Sequence, residues 1–270
     1  MNLFLLVMAA FISSSAYADF FTVSEDKNPV SDSQFQEPTQ IFAEAFEEVS
    51  EQWNSLAAAP SYYLLKFSSH SGDYGSVVEK YNRLKHFGTW IRDHNDNRCL
   101  NTRGLILERD SQSSVSYSSD GCTVKSGRWQ DPYEGRTYTD AADIQIDHFV
   151  PLKNAYLSGA ATWTNKKRCL YANYMGNEFH LLPVLGRENM RKSDKSPAAY
   201  MPPNAAYRCQ YLNQWLKVKM IWSMSLSSDE ARRITELAQE NHCDLASFRY
   251  SESELQYQRR FISDNANLCQ

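Results

Sequence analysis

Apolar residues recur along this chain with two periods. Between Asp143 and Val150, Ile144, Ile146 and His148 alternate with Gln145, Asp147 and Phe149, which predicts a short strand half committed to a core. The apolar run Phe179 to Leu185 predicts its partner, and Gly186 breaks that run. Arg187 to Lys192 then begins a helix whose first turns carry Asn189, so the segment predicts a hairpin followed by a helix. Helical spacing dominates elsewhere. Phe35, Ile41, Phe42, Ala45, Phe46 and Val49 form a stripe within Ser33 to Asn54, and Val77 to Ile91 predicts a second helix after a loop over Ser68 to Ser76 with Gly72 and Gly75. Leu105 to Leu107 and Val115 to Tyr117 fit a hairpin. Beyond the stops at Pro197 and Pro202-Pro203, Tyr207 to Met224 carries Tyr211, Leu212, Trp215, Val218, Met220, Ile221 and Trp222 at helical spacing. Asp229 to Asn241 follows, with Ser227 or Ser228 as N-cap and Glu230 in the first turn. The expected class is α+β, a small β-containing core surrounded by helices.

Composition adds a frame. The 270 residues are 42% hydrophobic and 13% aromatic, enough for a sizeable core and not the signature of a disordered chain. Met1 to Ala18 has an apolar stretch from Leu3 to Ile12 and an Ala16-Tyr17-Ala18 cleavage signal, which reads as a secretory signal peptide. That stretch falls short of the roughly 20 residues a bilayer span needs. The expected organisation is a signal peptide over 1–18, a helical region over 19–95 packed on the core, and a main domain over 96–270 with C-terminal helices. The mature chain is expected to be a secreted or periplasmic monomer without membrane attachment.

Six cysteines follow the cleavage signal, which favours disulfides in an exported chain. Cys99 with Cys122 is the preferred first pair, because both flank the expected hairpin, and Cys209 with Cys243 is a second, across two helical segments. No Cys-x-x-Cys occurs, which disfavours a ribbon-type structural zinc.

Candidate chemistry gathers around the predicted hairpin. His148 is a neutral imidazole near pH 7 that can take a proton from water, while Asp147 and the Asn189 side-chain oxygen are hard ligands suited to magnesium, with manganese or zinc as alternatives. Attack of water on a phosphodiester needs both a base and a cation. The net charge of -4 argues against a constitutively basic nucleic-acid binder. Lys166, Lys167, Arg168, Arg187 and Arg191 nevertheless cluster in sequence around these residues, with Trp163, Tyr171 and Tyr174 interleaved, so cations could meet phosphates and rings could stack on bases.

At these residues the chain resembles the HNH-type nucleases with a ββα-metal site, in particular their secreted bacterial branch. Ser126-Gly127-Arg128-Trp129 through Asp131-Pro132-Tyr133-Glu134-Gly135 looks like that branch's lead-in. Asp147-His148-Phe149-Val150-Pro151-Leu152, Ser158-Gly159-Ala160 and Asn189 through Asp194 look like its core. The similarity runs more faintly from Cys99 to Cys243. It implies a nucleic acid substrate (DNA, or RNA as well), His148 as general base, Asp147 and Asn189 as metal ligands, and Lys192 beside a phosphate. One position departs from the pattern. The family commonly has an orienting Asn nine residues before Asn189, where this chain has His180; the orienting role falls to His180 or to Asn177 just upstream. Two rival readings remain: a nucleic-acid binder that keeps the frame without turnover, and an exported structural domain stapled by disulfides. Metal-dependent cleavage excludes the first, and affinity for DNA at low salt excludes the second.

Overall fold

The structure, a computed structural model, describes residues 62–64, 69–70, 79–92, 97–244 and 248–269. All belong to the unit Gln36–Gln270. The expected signal peptide, the stripe over Ser33 to Asn54 and most of the Ser68 to Ser76 loop lie outside the described residues.

Strand β1 (Tyr62–Leu64) and β2 (Ser69–His70) are followed by α1 (Arg83–Phe87) and α2 (Thr102–Asp110), then by β3 (Ser116–Tyr117), β4 (Val124–Asp131), β5 (Arg136–Asp140) and β6 (Ile144–His148). Helices α3 (Leu152–Leu157) and α4 (Asn165–Ala172) separate β6 from β7 (Leu181–Leu185), which runs directly into α5 (Gly186–Lys192). The chain closes with α6 (Arg208–Ile221), β8 (Leu226–Ser227), α7 (Ser228–Glu240), β9 (Arg249–Ser251) and α8 (Glu252–Asp264). The mixed helix-and-sheet class follows.

Strands β6 and β7 pair antiparallel in the register His148 to Leu181 through Ile144 to Leu185. Their connection is helical rather than a tight turn. Pro183 is tolerated in β7 because that strand pairs on one side only. Alternation sends Ile144 and Ile146 into a core with Leu107, Val124, Trp129 and Leu181. The opposite face of β6 is covered as well, so the strand is buried on both sides rather than half committed. Trp129 donates its indole N–H to the Leu107 carbonyl at 2.8 Å, and Asp131 accepts from the Leu185 amide at 3.0 Å, which ties the β3-β4-β5 sheet to this pair.

Two expected elements differ. Leu105 to Leu107 is helical: Asn101 caps α2 by accepting from the Gly104 amide at 3.1 Å, and a started helix carries three apolar residues that a strand pattern would also allow. The helix expected over 77–91 is confined to Arg83–Phe87 within its described part, because Gly88 at φ 70 takes up a conformation that closes it. Helices α6 and α7 match their expected spans, with Ser227 as the N-cap of α7, accepting from the Glu230 amide at 3.1 Å.

Three disulfides staple these parts: Cys99–Cys122, Cys209–Cys243 and Cys169–Cys269. The first two are the expected pairs. The third spans 100 residues and ties α4 to the end of the chain. A loop of that size restricts the unfolded state by about 4 to 5 kcal/mol in the chain-entropy account. Reduction should therefore lower the melting temperature, and a Cys169→Ser/Cys269→Ser variant should account for the largest share of the loss in calorimetry. Identical melting with and without reductant would remove the staple from the account.

Candidate active site

The hairpin-helix unit places the candidate residues on two sides of β6. Asp147 and Gln145 face α5, whereas His148 faces the other way. Asp147 is 4% exposed. Its Oδ1 accepts from Lys192 Nζ at 2.9 Å and its Oδ2 from the Tyr133 hydroxyl at 2.6 Å. Lys192 is completely buried and also donates to the His148 carbonyl at 3.1 Å. Burial pushes the Asp147 carboxyl up and the Lys192 ammonium down, and the opposite charge of each partner works against that push. Tyr200, Tyr207 and Tyr211 pack beside Tyr133, with Phe149 against Tyr211, and this aromatic cluster keeps water from the pair. Lys192 is thus an interior counterion of Asp147, at the position where the resemblance implies a lysine beside a phosphate.

Asn189, one turn before Lys192, donates through Nδ2 to Gln145 Oε1 at 2.9 Å. Gln145 and Asp147 lie on the same side of β6, so Asn189 and Lys192 of α5 meet that side through these two side chains. Among the described residues no three His, Cys, Asp or Glu side chains gather as a metal cluster. The donor chemistry at Asp147 and Asn189 still suits a magnesium-like cation. Both Asp147 oxygens are already partnered, Oδ1 by the Lys192 ammonium and Oδ2 by the Tyr133 hydroxyl.

His148 is oriented from two directions. Its Nε2 lies 2.9 Å from the Ala172 carbonyl, which can only accept, so the proton sits on Nε2 and Nδ1 carries the lone pair. The Trp90 indole stacks on its face at 5.0 Å between centroids and 3° between planes. Burial lowers the His148 pKa to about 3, against the opposing carbonyl bond. His180 repeats the arrangement one residue earlier along α4: its Nε2 meets the Tyr171 carbonyl at 2.8 Å, and burial lowers its pKa to about 3 as well. Tyr171, Tyr174 and Trp222 surround its ring, and its Nδ1 has no hydrogen-bond partner. Asn177 accepts from the Phe179 and His180 amides at 3.1 and 2.8 Å and donates to Gln258 at 2.9 Å, so it shapes the turn into β7.

Both rings are neutral in the folded chain, whereas an unfolded histidine protonates below its ordinary value of about 6.5. The unfolded state then binds more protons, so stability is complete above that value and falls as pH drops from about 6.5 toward about 3. Each ring should contribute a loss of about 2 kcal/mol at pH 5. Urea unfolding at pH 7 and pH 5 measures it. A His180→Gln variant should lose less between the two, and an unchanged difference would show that His180 takes up its proton within the fold.

The basic residues fare differently. Arg168 is buried and donates to the carbonyls of His86, Ala160 and Ala161, each at 3.1 Å, which makes it part of the interior. Lys166 is exposed, and the Lys167 ammonium sits over Trp163 at 4.9 Å. Arg187 pairs with Glu134 at 2.8 Å and Arg191 with Glu188 at 3.5 Å, both keeping exposed guanidinium groups. Tyr171 and Tyr174 are completely buried, so neither ring is open for stacking on a base.

The family model of the GmrSD restriction endonucleases, C-terminal domain, matches residues 102–237, from the first residue of α2 into α7. The chain belongs to that family. The matched span includes Asp147, His148, His180, Asn189 and Lys192 and leaves Trp90 and α8 outside. A protein of Arthroderma benhamiae described as an uncharacterized secreted protein is 41% identical over 138 residues, which cover 51% of this chain and 66% of that protein. The relative is fungal, so the similarity is not confined to bacterial chains. No solved structure matches the chain. Sequence patterning does not point to Tyr133, Trp90, Gln145 or the Ala172 carbonyl as parts of the site. Tyr133 stands inside the quoted Asp131-Pro132-Tyr133 lead-in, which was its one signal; Trp90 gave none.

Proposed function

We propose that this chain is a secreted or periplasmic endonuclease that hydrolyses phosphodiester bonds in DNA, or RNA as well, without reading base sequence, through an HNH-type ββα-metal site. The observation that supports the reading is the order β6-β7-α5, which carries Asp147, Asn189 and Lys192 on one side of β6 and His148 on the other, with its proton on Nε2 and a lone pair on Nδ1. Membership of a restriction-endonuclease family supports a nucleic acid substrate. Three disulfides and a secreted relative support export.

In this reading Nδ1 of His148 accepts the proton of the attacking water while the Ala172 carbonyl holds the ring and steadies the imidazolium that forms. Asp147 and Asn189 would hold the divalent cation, magnesium first and manganese or zinc as alternatives. Bound there, it supplies positive charge for the phosphoryl and leaving oxygens. Lys192 keeps the Asp147 carboxylate ionised inside the fold. Lys166, Arg187 and Arg191 are exposed cations on the chain that can meet the substrate backbone.

A second reading, a nucleic-acid binder without turnover, is favoured by the saturation of Asp147 by Lys192 and Tyr133 and by the Trp90 ring over His148. Plasmid DNA incubated with the purified mature chain separates the two. Cleavage should stop with EDTA and return with magnesium. DNA retained at low salt but uncut with magnesium, manganese and zinc would establish the binder instead.

A further inference from the structure

Both groups that hold His148 meet at one residue, Asn173, which follows Ala172 in the chain and whose side chain bonds the backbone on either side of Trp90. Helix α4 ends at Asn173, whose backbone N–H donates to the Cys169 and Leu170 carbonyls at 3.1 Å each. That leaves the next two carbonyls, of Tyr171 and Ala172, for the imidazoles of His180 and His148. The Asn173 side chain turns toward the segment bearing Trp90. Its Oδ1 accepts from the Ile91 amide at 3.1 Å and from the Thr102 hydroxyl at 2.7 Å; its Nδ2 donates to the Thr89 carbonyl at 3.3 Å and back to the Cys169 carbonyl at 3.0 Å.

Thr89 and Ile91 are the two neighbours of Trp90. The amide of Asn173 is thus spent on the backbone either side of the ring that stacks on His148, while its own backbone follows the carbonyl that fixes the tautomer. An asparagine amide has two donors and an oxygen with two lone pairs, and all are used. Asn173 is 1% exposed, so no water replaces a missing bond without rearrangement. Thr102 reinforces the junction, its amide donating to the Ile91 carbonyl at 2.8 Å.

We propose that Asn173 is a positioning residue for His148, coupling the Ala172 carbonyl and the Trp90 ring into one rigid seat for the base; this rests on the nuclease reading above. The Asn173 side chain bonds Thr89, Ile91, Thr102 and Cys169 rather than Asp147 or Asn189. Aspartate cannot take its place, because a carboxylate has no proton for the Thr89 and Cys169 carbonyls.

The test uses the full mature chain with ¹⁵N-labelled histidine. In the wild type His148 gives the signature of a single Nε2–H tautomer; a mixed or Nδ1–H signature would overturn the proposal at once. In Asn173→Ala, His148 becomes a tautomer mixture and kcat on plasmid DNA falls about tenfold to a hundredfold, the scale of a misplaced catalytic group, while KM stays within about twofold. Asn173→Ser, which keeps a hydroxyl, recovers part of both. A folded Asn173→Ala chain with an unchanged His148 signature and unchanged kcat refutes the idea. So does failure of both variants to fold, since that marks a purely structural hub. If the wild type cleaves nothing with any divalent cation while the tautomer changes appear as expected, the seat stands and the nuclease reading falls.

Discussion

Replacing His148 by alanine should slow DNA cleavage by about 10²- to 10⁴-fold, the usual worth of a positioned general base. DNA affinity should change little, because the imidazole is neutral and presents no charge to a phosphate. The imidazole is neutral with its proton already placed on Nε2, so the chain spends no free energy on choosing a tautomer when substrate arrives. His148→Gln is the sharper companion: it can keep a donor toward Ala172 while removing the basic nitrogen, and it should be as inactive as alanine. Cleavage at the wild-type rate in either variant would move the base elsewhere. Measured Kd and kcat together separate a lost base from a lost binding group.

The second large effect concerns stability. Lys192→Met should cost about 3 to 5 kcal/mol, because it leaves a carboxylate buried with only the Tyr133 hydroxyl as partner. Removing both charges, as Asp147→Asn with Lys192→Met, should recover most of that loss, since two neutral groups of similar size need no counterion. Denaturant midpoints give both numbers. The single variant also reports on the proposed cation. If Asp147 and Asn189 hold a divalent metal, magnesium should raise the melting temperature of Lys192→Met more than that of the wild type, by filling the charge deficit. Equal melting of Lys192→Met and wild type would take the pair out of the stability account. Equal magnesium shifts in the two chains would move the metal away from Asp147.

The centre of the fold could be read from the sequence because two signals agreed there. Alternation over Ile144 to His148 and the break at Gly186 locate β6, β7 and α5, and with them Asp147, His148, Asn189 and Lys192. The α6 and α7 helices were legible through their apolar stripes and the Ser227 cap. Short apolar runs were not: Leu105 to Leu107 fits either period, and the cap at Asn101 decides for a helix. Helix α8 escaped because its surface is largely polar, although its capping box, Ser251 with Glu254, stands in the sequence. The walls of the site were illegible for another reason. Asn173 meets Thr89 and Ile91 across 84 and 82 positions, and no spacing rule reaches that far. Nor does a helical pattern reveal that the Lys192 ammonium is inside; only the neighbouring Asp147 carboxylate makes that position habitable.

The bridge from Cys169 to Cys269 gives location a chemical meaning. It fastens the chain's penultimate residue to the helix whose last carbonyls aim both histidines. Where thiols stay reduced, that helix lacks its tether, and the aim of His148 rests on Asn173 and packing alone. Forming the Cys169–Cys269 bond adds a covalent tether to that helix, so the thiol state of the surroundings in which the chain folds bears on how firmly both rings are held.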